Sequence, residues 1–154
     1  MPLALLRAAA LAATIVAGPP WISIELPANP MDPAARDAYL LVHTYHHREI
    51  TSEMVRGRAV GVVHGERRTV ELSFDRTETP GVLALKRTWP VEGAWVLAIS
   101  VGPEHGTATA LVRIAEDGSV RGVEVPTEMR NGYLLPKQVS DADVDAALGT
   151  LASR

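Results

Sequence analysis

Eight short runs of residues at strand spacing, with no helical period between them, constrain this 154-residue chain more than any other feature. Side chains of a strand point alternately to opposite faces, so a period of two marks a sheet with one buried face. Trp21 to Leu26 sets Ile22, Ile24 and Leu26 against Ser23 and Glu25. Arg68 to Phe74 sets Val70, Leu72 and Phe74 against Thr69, Glu71 and Ser73. Trp95, Leu97, Ile99 and Val101 form a third stripe, and Ala108, Ala110, Val112 and Ile114 a fourth. Asp37 to Tyr45 is apolar on both faces, as a central strand would be. Val55 to His64 carries Gly57 and Gly61, which predicts a twisted or bulged strand. Gly81 to Arg87 and Ser119 to Val125 complete the eight, with tight turns expected at Gly65-Glu66 and Asp117-Gly118. Parallel strands need long crossover connections, and those available here are too short. The pattern predicts an all-β fold, an antiparallel β-sandwich, with a barrel as the alternative.

One helix is expected, over residues 141–152. Ser140 is placed to cap it, Asp143 sits where a capping-box acid belongs, and Val139 and Val144 hold the staple positions. Asp141, Asp143 and Asp145 lie where the helix dipole favours anions. Val144, Leu148 and Leu151 make a narrow apolar stripe that can pack on the sandwich.

The first 20 residues read differently. They hold no acid and one base, Arg7, then the apolar run Ala8 to Ala17, then Gly18-Pro19-Pro20. A spanning helix needs about 20 apolar residues, and this run is too short, so it reads as a secretory signal peptide. The expected organisation is a leader over 1–20, a sandwich over 21–126 and an extension with the short helix over 127–154. The chain is expected to be exported, periplasmic or secreted, with no membrane-spanning segment after the leader. About 135 residues remain, enough for one full core without staples. The absence of cysteine excludes disulfides, thiolate metal sites and cysteine nucleophiles. With 15 basic and 18 acidic residues, the chain offers no basic face for nucleic acid.

Gly93-Ala94-Trp95-Val96-Leu97 resembles a core strand common in bacterial periplasmic immunoglobulin-like domains, where Gly-x-Trp opens the strand. Pro80-Gly81-Val82-Leu83-Ala84 is similar to the approach strand of the YtkA-like and copper-resistance CopC-like groups, with Leu83 in place of their aromatic. The resemblance covers about 30 residues and implies an immunoglobulin-like sandwich of about eight strands. The copper ligands of the copper-resistance domains have no counterpart here, since no His-x-Met motif occurs.

His43-Thr44-Tyr45-His46-His47 is the unusual cluster. Three imidazoles within five residues point to copper, zinc or nickel, with His43, His46 and His47 as candidate ligands. His43 and His47 share a strand face but stand about 13 Å apart at ~3.3 Å per residue, too far to converge on one ion. His46 and His47 can chelate only where the strand ends, at Arg48-Glu49; His64 or His105 can join only if the fold brings them beside residue 47. The plainer reading is a half-buried strand residue followed by a solvated strand end.

Among the aromatic residues, Trp95 reads as core, and Trp89, before Pro90, has the best prospect of exposure. Arg67-Arg68 and Lys86-Arg87 read either as a joint basic patch or as charged strands that deter edge pairing. No serine-hydrolase elbow, zinc-protease helix motif or phosphate loop is present, so no enzyme and no cofactor is expected, copper or zinc excepted if the histidines ligate. The functional expectation is an exported, non-catalytic interaction module for a protein or envelope component. Its expected contact surface is one end of the sandwich, including Arg48–Met54 and Thr88–Gly93. The alternative is a periplasmic metal-binding protein using the His43–His47 cluster.

Overall fold

The stripes pair as antiparallel strands throughout the described residues of a computed structural model, which are 18–31, 33–46, 49–103 and 107–152. In chain order the strands are β1 (Trp21–Glu25), β2 (Leu40–His46), β3 (Glu49–Ile50), β4 (Val55–Val63), β5 (Glu66–Glu71) and β6 (Phe74–Arg76). They continue as β7 (Val82–Leu85), β8 (Ala94–Val101), β9 (Ala108–Ile114), β10 (Val120–Glu124), β11 (Thr127–Arg130) and β12 (Tyr133–Pro136), and the helix α1 (Asp141–Ala152) follows. One sheet has the order β1-β2-β7-β6, with β3 beside the end of β2; the other runs β10-β9-β8-β4-β5. Lettering β1, β2, β4, β6, β7, β8 and β9 as A to G gives A-B-E-D facing C-F-G, the immunoglobulin order. The hairpin β11–β12 pairs with neither sheet. The expected leader falls, for residues 1–17, outside the described residues.

The apolar stripes meet between the sheets as expected. Ile22, Leu40, Val42 and Leu85 from one sheet share a continuous core with Trp95, Leu97, Ile99, Val101, Ala108, Ala110, Val112 and Ile114 from the other. Val96 and Ala98, on the opposite face of β8, are buried too, because α1 lays Val144 and Leu148 across them with Val60 and Leu111. A strand covered on both faces loses its polar alternation, which is why Trp95 to Ile99 is apolar at every position.

Three local expectations change. The stripe Val70, Leu72 and Phe74 does not stay in one strand. After Glu71 the chain bonds Leu72 N to Gly57 O and crosses to the other sheet, where Phe74 pairs with Leu85. Phe74 is half-buried against the common core, whereas Trp95 is fully buried; Glu71 and Ser73 face solvent. The glycines of β4 mark no bulge, since β4 pairs in unbroken register with both neighbours. They make room instead: a Cβ at Gly61 would lie 2.4 Å from the Trp95 ring, and one at Gly57 would lie 3.0 Å from Phe74. The hairpin turn falls one residue earlier, at His64-Gly65, both with positive φ as a type I′ turn requires. Among the described residues twelve strands are present where about eight were expected; β3, β6, β11 and β12 are short additions.

The helix begins as its sequence dictates. Ser140 N and Oγ donate to Asp143 at 2.9 and 2.7 Å, and Asp143 N donates back to Ser140 Oγ at 3.3 Å. Lys137 Nζ adds a bond to the same carboxylate at 2.6 Å. Arg58 of β4 donates to Asp141 and Arg67 of β5 to Asp145, which orients α1 along its sheet. Arg68 instead meets Glu66, and Lys86 meets Asp75 on the other sheet, so the four basic residues form no joint patch.

Two outcomes follow from this packing. Trp95→Ala empties the centre of the core, and chemical denaturation should show a loss of roughly 3–5 kcal/mol. Gly61→Val should destabilise as well, because its side chain claims space the indole occupies. The second outcome concerns acid. The Lys137 ammonium, with the Ser140 amide and hydroxyl, holds the Asp143 carboxyl far below its ordinary 3.8. A folded-state pKa below the unfolded one contributes stability that is complete above the ordinary carboxylate range and is lost as pH falls through the folded value. Thermal melts at neutral pH and at about pH 2 should therefore show wild type losing more stability with acid than Asp143→Asn does.

Candidate functional site

The histidine cluster lies on β2 and the turn after it, and the period of two separates its members. Leu40, Val42 and Thr44 face the other sheet, whereas Leu41, His43 and Tyr45 face outward. His43 therefore points away from the sandwich, where its Nε2 meets Glu25 Oε2 at 2.9 Å. His46 is on the opposite side of the strand, with Nδ1 at 3.4 Å from Glu53 Oε1. The expected ligands His43 and His46 are thus not brought together, and His47 lies outside the described residues, as does His105. His64 is at the turn between β4 and β5, at the far end of the sandwich from His46. Among the described residues no three potential ligands of the His, Asp and Glu kinds converge.

Thr44 is the residue that shapes this end, and its neutral, β-branched identity gave no signal. It is completely buried, and its Oγ1 lies within hydrogen-bond reach of Gly81 O, at 3.2 Å, and of Thr51 O. Thr44 N also donates to Gly81 O, and Thr51 N to Thr44 O. A buried hydroxyl needs such partners, and here they tie the loop after β2 to the turn before β7. Gly102 N donates to Met54 O at 3.0 Å and joins the end of β8 to the same loop. A groove of about 570 Å³ runs between the two tied segments, lined by Glu53, Met54, Arg76, Thr79 and Val82 among others.

The expected contact surface divides. The loop from residue 49 to Met54 lies at this end, but Thr88–Gly93 joins β7 to β8 at the other, because Val62 pairs with Ala94 there and Val55 with Val101 here. Trp89, in that far loop, is buried rather than offered to solvent. Its ring meets Tyr39 edge-on with centroids 5.1 Å apart, and the Arg87 guanidinium sits 5.5 Å above it. Arg87 in turn donates to the carbonyls of Pro90 and Val91, at 2.8 and 3.2 Å, and so folds the loop over the tryptophan. Burial among these groups raises the Tyr39 phenol above its ordinary value. The far loop is a plug for the core.

Apolar surface appears instead beside the histidine end. Trp21 pairs with Tyr45, and Tyr45 with Ile50, so the three side chains form one row across β1, β2 and β3 on the outward face. Trp21 is 38% exposed, Ile50 48% and the nearby Met54 66%. The lower part of that face is covered by the connection from β1 to β2, whose Ala28, Ala35 and Ala38 pack on Leu41, Val82 and Ala84. The row itself has no such cover among the described residues.

A second groove, of about 680 Å³, opens on the other sheet beyond the start of α1. Its floor is the cross-strand row Arg56, Ser100 and Thr109, with Ser100 and Thr109 hydroxyls 2.8 Å apart and Gln138 at its rim.

Comparison with protein-family models, with curated proteins and with solved structures finds no match for this chain.

The facing of the histidines is open to direct measurement. Titration calorimetry with Cu(II), Zn(II) and Ni(II) should give the same isotherms for wild type and His43→Ala, since His43 and His46 stand on opposite sides of β2. Weakened binding in His43→Ala would place the two rings on one face and contradict this register.

Proposed function

We propose that the chain is an exported, non-catalytic β-sandwich module that engages a protein or envelope component through the outward row Trp21, Tyr45 and Ile50 and the loop at Met54. The observation that carries the reading is the asymmetry of cover. The outer face of one sheet is covered in part by α1, and part of the other by the connection from β1 to β2, yet no described residue covers this aromatic and aliphatic row. Exposed large apolar side chains grouped in one place, with polar groups such as His43, Glu25 and Glu49 at their border, have the make-up of a contact patch. Trp and Tyr supply large area at small entropic cost, as residues that dominate interface energies do. Thr44 and its two bonded loops hold the patch on a rigid base, which favours recognition without reorganisation.

The partner is sought by cross-linking the exported chain in its own envelope, with Ile50→Asp and Trp21→Ser as the comparison. Each substitution is at the surface and should leave the thermal melt nearly unchanged. The expected outcome is one dominant cross-linked partner for wild type and at least a tenfold smaller yield for the double variant, as removal of central anchors implies. Equal cross-linking by both proteins, or turnover of a small substrate by the wild type, would sink the proposal.

A further inference from the structure

We infer that β11 is a homophilic edge, through which two copies of this chain pair antiparallel about a two-fold axis at Met129. The hairpin β11–β12 stands apart from both sheets, and no third strand pairs with it among the described residues. Asn131 and Gly132 form its turn, with φ of 53° and 79°, so Arg130 and Tyr133 are the closing pair. Lys137 N donates to Pro126 O at 2.8 Å, which places Pro126, Glu128 and Arg130 among the positions whose peptide groups turn toward β12. Thr127 and Met129 therefore turn theirs outward. On β12 the outward positions are Leu134 and Pro136, and Pro136 has no N–H to offer. One edge of the hairpin is blunted and the other is open.

The open edge is complementary to itself. Antiparallel pairing about Met129 brings Met129 opposite the partner's Met129, and Thr127 opposite the partner's Asn131. Met129 is an outward-turned position, so the register supplies reciprocal N–H to C=O bonds at the axis. It also sets Glu128 opposite the partner's Arg130, and Arg130 opposite the partner's Glu128. Within one chain Arg130 already donates to Glu128, and pairing offers each charge a second, cross-strand neighbour of opposite sign. On the other face, Met129 and Leu134 are 68% and 63% exposed and directly paired. In the pair of hairpins they become a continuous row of Leu134, Met129, the partner's Met129 and the partner's Leu134. A two-stranded hairpin, marginal alone, becomes part of a four-stranded sheet with one apolar face. Four-residue strands bury far less than the ~800 Å² per partner of a standard complex, so the dimer is weak and forms with concentration.

Sedimentation equilibrium of the purified chain, from micromolar to millimolar, reads this directly. Wild type should show a reversible monomer–dimer equilibrium. Glu128→Arg or Arg130→Glu alone sets like charges opposite each other twice and should weaken the dimer at least tenfold, roughly. The double swap Glu128→Arg/Arg130→Glu restores opposite signs and should recover most of the affinity. Met129→Pro removes an outward N–H without touching the bonds to β12 and should abolish dimerisation. Amide spectra of the core strands and α1 should be unchanged in each variant, which separates loss of pairing from loss of fold. A chain that stays monomeric at millimolar concentration, or a dimer indifferent to Met129→Pro and to the single charge reversals, would overturn the inference.

Discussion

The contact of the Trp95 indole with the bare backbone at Gly61 sets the geometry of the whole sandwich. The two residues are cross-strand partners on β8 and β4, and the ring lies where a side chain at position 61 would begin. Such a fit admits one register, because a slip by one residue would turn the indole to the opposite face and set a side-chain-bearing neighbour against it. Trp95 Nε1 donates to Glu92 O at 2.9 Å, so the same side chain also anchors the loop before its strand. Gly93, with φ of 86°, lets that loop turn so close to Val62 O that a Cβ would lie 2.3 Å from it. Packing, register and loop conformation meet at one aromatic residue. The Arg87 and Trp89 plug closes the core just upstream of this anchor.

The second dependence runs through β8 to the helix. A strand with Val96 and Ala98 on its outer face cannot leave that face in water without exposing the centre of a sheet, and α1 is the element that covers it. Burial of Val144 and Leu148 supplies the larger stabilisation. The ion pairs of Arg58 with Asp141 and Arg67 with Asp145 are solvent-screened surface contacts that add little. Their contribution is direction, since they set which way the helix lies across the strands. The cap at Ser140 and Asp143 fixes where it starts.

Periodicity made the long strands and the helix legible, because each has enough residues for its repeat to show. Ala108, Ala110, Val112 and Ile114 keep the period of two, broken only by Leu111 on the face that α1 covers, and the limits of α1 coincide with the cap and the end of its apolar stripe. The crossing between Leu72 and Phe74 was illegible for the same reason: the alternation continues through a change of sheet, and only the long-range partner of Phe74 reveals it. The hairpin β11–β12 had a local signal in Asn131-Gly132, but its four-residue strands carry too little pattern to stand out. At the histidines, parity alone separates His43 from His46, three positions apart on a strand. Which loops share an end is set by topology, so the separation of residues 49–54 from 88–93 appears only in three dimensions.

The distribution of cover then decides where function can reside. Sandwich faces and edges left apolar are liabilities unless something occupies them. In this chain nearly every such surface has a cover of its own: α1 over one sheet, alanines of the β1–β2 connection over part of the other, and the Arg87 loop over Trp89. β5, an exposed edge, is guarded by Glu66, Arg67 and Arg68. Among the described residues two places lack that treatment, the Trp21–Ile50 row, which Thr44 and its bonded loops support, and the open edge of β11, whose hairpin pairs with neither sheet. If the chain acts as proposed, its contacts form at these two places, which no described residue covers.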